Sequence, residues 1–324
     1  MASEALAGTV PAAKSRAYTP RRFEFQALGP SGFTRVSYVE WGSARAERTV
    51  VCVHGLTRNS RDFDFIARRL ADTGSRVVAV DLPGRGQSAW VAQWHDYGTK
   101  LYVSVMSGLI ARLDVEEVDW IGTSLGGHVG MEFASLPGAP IRRLVLNDIG
   151  ARVRAPALQR ISNYLAEGNK MRFPTLEALE HHLRSTLAPF GELTDSQWRH
   201  LAKYSGVDAG DGTLKLSHDP SISKQFWMPM LLDLSLWQVW EKVRCPTLIV
   251  RGVDSDLLTL ETVQQMERRG IAASMGLVKN AEIARCGHAP ALMAEDQIDL
   301  IEKFLDSDLD SFLDTAPPTS KARP

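Results

Sequence analysis

Short runs of β-branched residues alternate along the chain with stretches whose apolar residues recur at helical spacing. Phe23 to Leu28 and Thr34 to Trp41 flank Gly29-Pro30-Ser31-Gly32, which predicts a β-hairpin. Thr49 to Val53 is a continuous apolar run, the pattern of a strand covered on both faces. Asp62, Phe63, Ile66, Ala67 and Leu70 follow at helical spacing, and Gly74 stops them. Val77–Val80 predicts a strand, Leu101–Leu113 a helix, Val118–Ile121 a strand, Gly126–Ala134 a helix and Leu144–Leu146 a strand. Such alternation predicts a mostly parallel sheet flanked by helices on both faces.

After Gly150 the rhythm changes. Residues 151–240 show no strand pattern; helices are expected at Ala157–Ala166, Thr175–Leu187, Asp195–Tyr204 and Leu234–Val243. The alternation resumes with the strand Pro246–Val250, a helix over 260–269, a strand near Glu282–Arg285 and a helix ending near Leu305. The expected organisation is a flexible arm over 1–21, a core over 22–150 and 241–306, a helical cap over 151–240 inserted after the sixth strand, and a flexible tail over 307–324.

Composition narrows this little. The 324 residues are 44% hydrophobic and 23% charged with a net charge of −1, so nothing points to nucleic acid or an anionic membrane surface. No apolar run reaches the length of a membrane span, and the N-terminal stretch lacks the apolar segment of a signal peptide. The three cysteines, Cys52, Cys245 and Cys286, are widely spaced, which predicts no disulfide framework and fits a reducing cytoplasm.

Candidate chemistry sits at strand ends. Gly122-Thr123-Ser124-Leu125-Gly126 lies between a predicted strand and a predicted helix. A tight turn there would push the Ser124 hydroxyl out of the backbone, where a base could take its proton, and the crowding explains the flanking glycines. The helix opening at Leu125 has unpaired amides, so the Leu125 N–H is a candidate oxyanion donor. The loop His54-Gly55-Leu56 follows an earlier strand and offers the Leu56 N–H as the second donor. His54 itself is expected to hold that loop by hydrogen bonds. Of eight histidines, His288 in Cys286-Gly287-His288-Ala289-Pro290 follows the last predicted strand, where a parallel sheet places its ligands. It is the expected base. Asp254, Asp256 and Asp148 also follow strands and are candidates for the acid that orients it.

Together the His54-Gly55 loop, Asp81-Leu82-Pro83-Gly84-Arg85-Gly86-Gln87-Ser88, the Ser124 turn and Gly287-His288-Ala289-Pro290 resemble the α/β-hydrolase superfamily, and within it the capped esterases and carbon–carbon bond hydrolases. The resemblance covers about residues 22–306 and implies an α/β-hydrolase fold with a Ser-His-Asp triad that needs neither metal nor organic cofactor. Its usual acid stands three residues after a glycine; here Ser255 occupies that position. Asp256, one residue further, is the preferred acid, with Asp148 and Asp254 as alternatives. Ser124 in place of an aspartate argues against the members that attack with a carboxylate.

The expected partner is a small-molecule ester of small to medium acyl chain length. Lactones, short polyester oligomers or diketone-like ring-cleavage products are the alternatives, and a binding protein that kept the fold is the reading from another class. Phe226, Trp227, Met228, Met230, Leu231 and Trp237 are candidates to line the pocket, and Arg58 to meet a substrate carboxylate.

Overall fold

The computed structural model describes residues 19–226 and 232–308. Most of the expected arm and tail, and the pocket candidates Trp227, Met228, Met230 and Leu231, lie outside the described residues.

Eight strands form one sheet: β1 (Arg21–Gly29), β2 (Gly32–Trp41), β3 (Thr49–Val53), β4 (Arg76–Val80), β5 (Val118–Thr123), β6 (Ile141–Asn147), β7 (Thr247–Gly252) and β8 (Val278–Ile283). Their order across the sheet is β1-β2-β4-β3-β5-β6-β7-β8. β1, β2 and β4 pair antiparallel; every pair from β4 to β8 is parallel. Every residue of β3 and β4 is buried, as their unbroken apolar runs require of strands covered on both faces.

The covering helices are α1 (Asp64–Asp72), α2 (Thr99–Leu113), α3 (Leu125–Ala134) and, at the chain's far end, α10 (Glu295–Asp306). From β3 the chain steps to β4 on one side, then crosses to β5 on the other. That reversal opens a crevice beyond the C-terminal ends of β3 and β5, where ligands of open α/β sheets bind.

Between β6 and β7 lies an insert with helices α4 (Ala155–Gly168), α5 (Leu176–Thr186), α6 (Asp195–Ser205) and the single turn α7 (Trp237–Trp240). Phe173, Leu179, Leu183, Leu187, Trp198 and Leu201 form a separate apolar cluster with Met293 of the core. α4 instead packs Ala157, Leu158 and Ile161 against the main core. Local chemistry starts these helices. The Thr175 side chain caps α5 by accepting the Ala178 N–H, and Thr194 and Gln197 form a reciprocal capping box on α6.

Four elements differ from expectation, the first being the last strand, expected near Glu282–Arg285 and found at Val278–Ile283. The insert is not free of strands: Gly206–Asp208 pairs with Leu214–Leu216 across Ala209-Gly210-Asp211-Gly212-Thr213, a turn sequence rich in residues that accept positive φ. The helix expected over 234–243 is reduced to α7, because Leu234 and Ser235 pair with Val153 and Arg152 instead. The helix expected over 260–269 ends at Met266 (α8, Leu260–Met266), and Gly270, with φ 101°, opens a new turn (α9, Ile271–Ser274).

Candidate active site

Ser124 sits between β5 and α3 with φ 51° and ψ −111°, a conformation that non-glycine residues rarely adopt. The flanking glycines explain how the turn closes. A Cβ on Gly126 would lie 1.9 Å from the Val53 carbonyl oxygen, and one on Gly122 would lie 2.4 Å from the Gly126 carbonyl. Neither position has room for any side chain. The Ser124 amide donates to the Asn147 carbonyl (2.9 Å), which ties the turn to the end of β6.

Two hydrogen bonds run from the serine inward. Ser124 Oγ lies 2.9 Å from His288 Nε2, and His288 Nδ1 lies 2.7 Å from Asp148 Oδ2. Asp148 is fully buried directly after β6, with φ 56°. Its carboxylate also accepts the Gly252 N–H on Oδ1 (2.9 Å) and the Ser255 hydroxyl on Oδ2 (2.6 Å). Ser255 Oγ in turn accepts the Leu257 and Leu258 amides (3.2 and 3.1 Å). With Nδ1–H donating its hydrogen bond to the Asp148 carboxylate, Nε2 presents its lone pair to the serine hydroxyl.

The preferred acid does not take part. Asp256 is half exposed and forms a two-pronged pair with Arg160 of α4 (Nε–Oδ2 2.6 Å, Nη2–Oδ1 2.8 Å). Asp254 is exposed as well. The physical reason is direction: the turn after β7 points Ser255 inward, and the aspartates on either side of it face out. The side chain at the usual acid position thus still serves the carboxylate, now as a hydrogen-bond donor to an aspartate from the neighbouring strand.

The loop after β3 faces the same point. His54 Nδ1 donates to the Gly55 carbonyl (2.7 Å) and Nε2 accepts the Leu82 N–H (3.0 Å), so the ring is a neutral brace; burial pushes its pKa down to about 3. The Gly55 carbonyl also accepts the Arg58 N–H (3.1 Å). In a trans peptide N–H and C=O point oppositely, so pinning that oxygen aims the Leu56 N–H the other way. Arg85 Nε fixes the next peptide by donating to the Leu56 carbonyl (2.8 Å). The Leu125 amide, first in α3, has no carbonyl one turn before it in the helix. A methyl on Gly55 would meet Ser124 Cβ at 3.8 Å, ordinary contact, so this glycine keeps space open beside the serine rather than relieving a clash.

A cavity of about 110 Å³ opens on Ser124 and His288. Leu56, Ile161, Leu187, Pro189 and Phe190 give it apolar walls; Thr57, Arg58, Arg160 and Tyr164 add polar edges. Arg58 is buried and committed: Nε and Nη2 donate to Asp62 (2.7 Å each) and Nη1 to Ser205 (2.9 Å). Two expected lining residues are elsewhere. Trp237 packs against the main core with the Arg269 guanidinium 4.1 Å over its ring, and Phe226 ends a 3-10 turn whose carbonyl accepts from Ser162. Among the described residues no group of His, Cys, Asp and Glu is arranged to hold a metal.

Residues 50–300 match the model of the alpha/beta hydrolase family. The chain belongs to that family. This hydrolase is 41% identical over 294 residues to the 3-hydroxybutyrate-oligomer hydrolase of Cupriavidus necator, spanning 88% of this chain and 98% of that protein. An esterase of Mycobacterium tuberculosis is 24% identical over 242 residues, 72% of this chain and 75% of its own. The solved structure of an alpha/beta hydrolase from Novosphingobium aromaticivorans matches with a TM-score of 0.76 at 29% identity, covering 89% of this chain and 98% of that one.

Sequence reasoning missed the supporting residues of the hydrolase. Asn147 donates to the Pro290 carbonyl (2.9 Å) and the Thr123 hydroxyl (3.0 Å), joining the His288 loop to the serine turn. Its signal was legible: a polar Asn147-Asp148 pair directly after the apolar run Leu144-Val145-Leu146. Tyr164 and Arg160 had no comparable signal, since either reads as the polar side of a surface helix.

Proposed function

We propose that the hydrolase cleaves carboxylic esters of short hydroxy acids, 3-hydroxybutyrate oligomers among them, through an acyl-enzyme on Ser124. The observation that carries this reading is the unbroken relay from Ser124 Oγ through His288 to Asp148. The similarity to the oligomer hydrolase over nearly its whole length supports the substrate class. The cavity is small for a ligand pocket, typically ~300–1,000 Å³, and suits one short acyl unit.

In this mechanism Ser124 Oγ attacks the ester carbonyl while its proton passes to His288 Nε2. Negative charge develops on the carbonyl oxygen and is met by the Leu56 and Leu125 amides. Asp148 holds the ring by Nδ1 and stabilises the imidazolium. The tetrahedral adduct collapses, the C–O bond to the alcohol breaks, and His288 returns the proton to that oxygen. Water then repeats the sequence on the acyl-enzyme, releasing the acid and restoring the serine.

The test is hydrolysis of 3-hydroxybutyrate dimer and of p-nitrophenyl butyrate by the wild type and by Ser124→Ala, with a fluorophosphonate as active-site label. Wild-type turnover, an inactive Ala variant and a single adduct on Ser124 support the reading. An active Ala variant, an adduct elsewhere, or turnover of a vinylogous diketone with poor ester turnover overturns it.

A further inference from the structure

Arg160 and Asp256 meet where the insert faces the core, and Arg160 also lines the cavity above Ser124. Both side chains are about half exposed, at 49% and 51%. An ion pair so open to water is weak, and its carboxylate is readily exchanged for another. Arg160 Nη1 has no partner among the described residues, whereas Arg58, the other cation of the cavity, is buried with every guanidinium nitrogen donated to Asp62 or Ser205. Asp256 itself has no part in the relay through His288.

We infer that Arg160 binds the free carboxylate carried by the leaving alcohol of a hydroxy-acid oligomer, and that Asp256 is the counter-ion this carboxylate displaces. The inference rests on the ester-hydrolase reading above. An oligomer of a hydroxy acid has a hydroxyl at one end and a carboxylate at the other. On the acyl side of any ester bond the chain runs toward the hydroxyl end, and on the alcohol side toward the carboxylate. The cavity, about 110 Å³ and walled by Leu56, Ile161, Leu187 and Phe190, admits one neutral acyl unit. Its buried cation, Arg58, is committed to Asp62 and Ser205, so a carboxylate drawn deep inside would stay unpaired, and burying an unpaired charge is strongly unfavourable. The carboxylate end therefore stays at the edge, where a planar guanidinium can take it in a two-pronged pair.

The experiment compares 3-hydroxybutyrate dimer as the free acid with its methyl ester, in the full chain at low salt. The quantity read is the ratio of kcat/KM for acid over ester. Arg160→Met should lower that ratio about tenfold or more, mainly through KM for the acid. Asp256→Asn should raise it several-fold, because the substrate no longer competes with a resident carboxylate. Added salt should lower the wild-type ratio and leave that of Arg160→Met flat. A pair that only fastens the insert to the core would shift both variants in the same direction, and that result, or an unchanged ratio in Arg160→Met, overturns the inference. If p-nitrophenyl butyrate is turned over while the ratio stays fixed, the inference alone fails. If the wild type turns over no ester at all, the underlying ester-hydrolase reading fails with it.

Discussion

Asp148 reaches His288 from the end of the sixth strand, its Oδ2 2.7 Å from Nδ1 across a separation of 140 residues. The carboxylate is fully buried and is held by three donors: the ring, the Gly252 amide and the Ser255 hydroxyl. It meets the geometric demand made of the acid in the proposed triad, which is to fix the imidazole so that Nε2 faces the Ser124 hydroxyl.

Asp148→Asn should therefore lower kcat for p-nitrophenyl butyrate by about 10⁴-fold, the cost of holding the wrong tautomer in a comparable triad. Asp254→Asn, at an exposed position, serves as the control and should stay close to wild type. A loss of thousands-fold in Asp256→Asn with less than tenfold in Asp148→Asn would return the acid to the loop after β7.

Ser255 acts on Asp148 and not on substrate. Removing its hydroxyl takes away a hydrogen bond to a buried carboxylate, ~1.5–3 kcal/mol, so Ser255→Ala should lower kcat by roughly 10- to 100-fold. KM should change little, and Ser255→Thr should recover part of the rate. A change confined to KM would contradict this role.

The turn at Ser124 leaves no space for a methyl group on its glycines. Gly126→Ala would drive Cβ to 1.9 Å from the Val53 oxygen, a backbone atom that cannot swing aside. Either β3 or α3 must shift, so the variant should lose both thermal stability and activity. A variant with wild-type Tm and kcat would show that the turn is looser than its geometry.

Stability should depend on pH through buried groups that act in opposite senses. Burial pushes His54 down to about 3, and burial with the nearby Arg85 pushes His218 down to about 4. Both stay neutral in the fold where unfolded histidines, at about 6.5, are protonated. Their contribution is full above about 6.5 and is lost as pH falls toward 4 and 3. Asp119 works the other way: burial, partly offset by Arg142, raises it to about 6, so its contribution is present at low pH and fades as pH rises through 6. Asp81, fully buried, is raised by burial as well and acts in the same sense as Asp119. The buried histidines therefore make the unfolding free energy rise with pH while the two carboxyls oppose them, and each histidine supplies ~1.4 kcal/mol per pH unit between its folded and unfolded pKa. Urea unfolding at pH 4.5 and 5.5 measures the slope, and His218→Gln should lower it by about that amount relative to wild type; an unchanged slope in His218→Gln would count against a buried neutral His218.

The amino-acid sequence by itself determined what depends on near neighbours in the chain. Continuous apolar runs specify β3, β4 and β7 because a strand covered on both faces tolerates no polar residue in its middle. The sharp turn at Ser124 was legible because its glycine requirement is local, and the place of His288 because a loop after a terminal parallel strand opens on the ligand side. The carboxylate that bonds His288 was not legible, since Asp148 and Asp256 both follow strand ends and no local pattern says which one points inward. That choice belongs to the packing of β6, β7 and β8 side by side, which brings Asp148, Ser255 and His288 to one point. The cavity wall was hidden for the same reason. An apolar side chain reads alike whether it faces a core, as Trp237 does, or a pocket, as Leu187 and Phe190 do, and only the docking of the insert on the sheet separates the two.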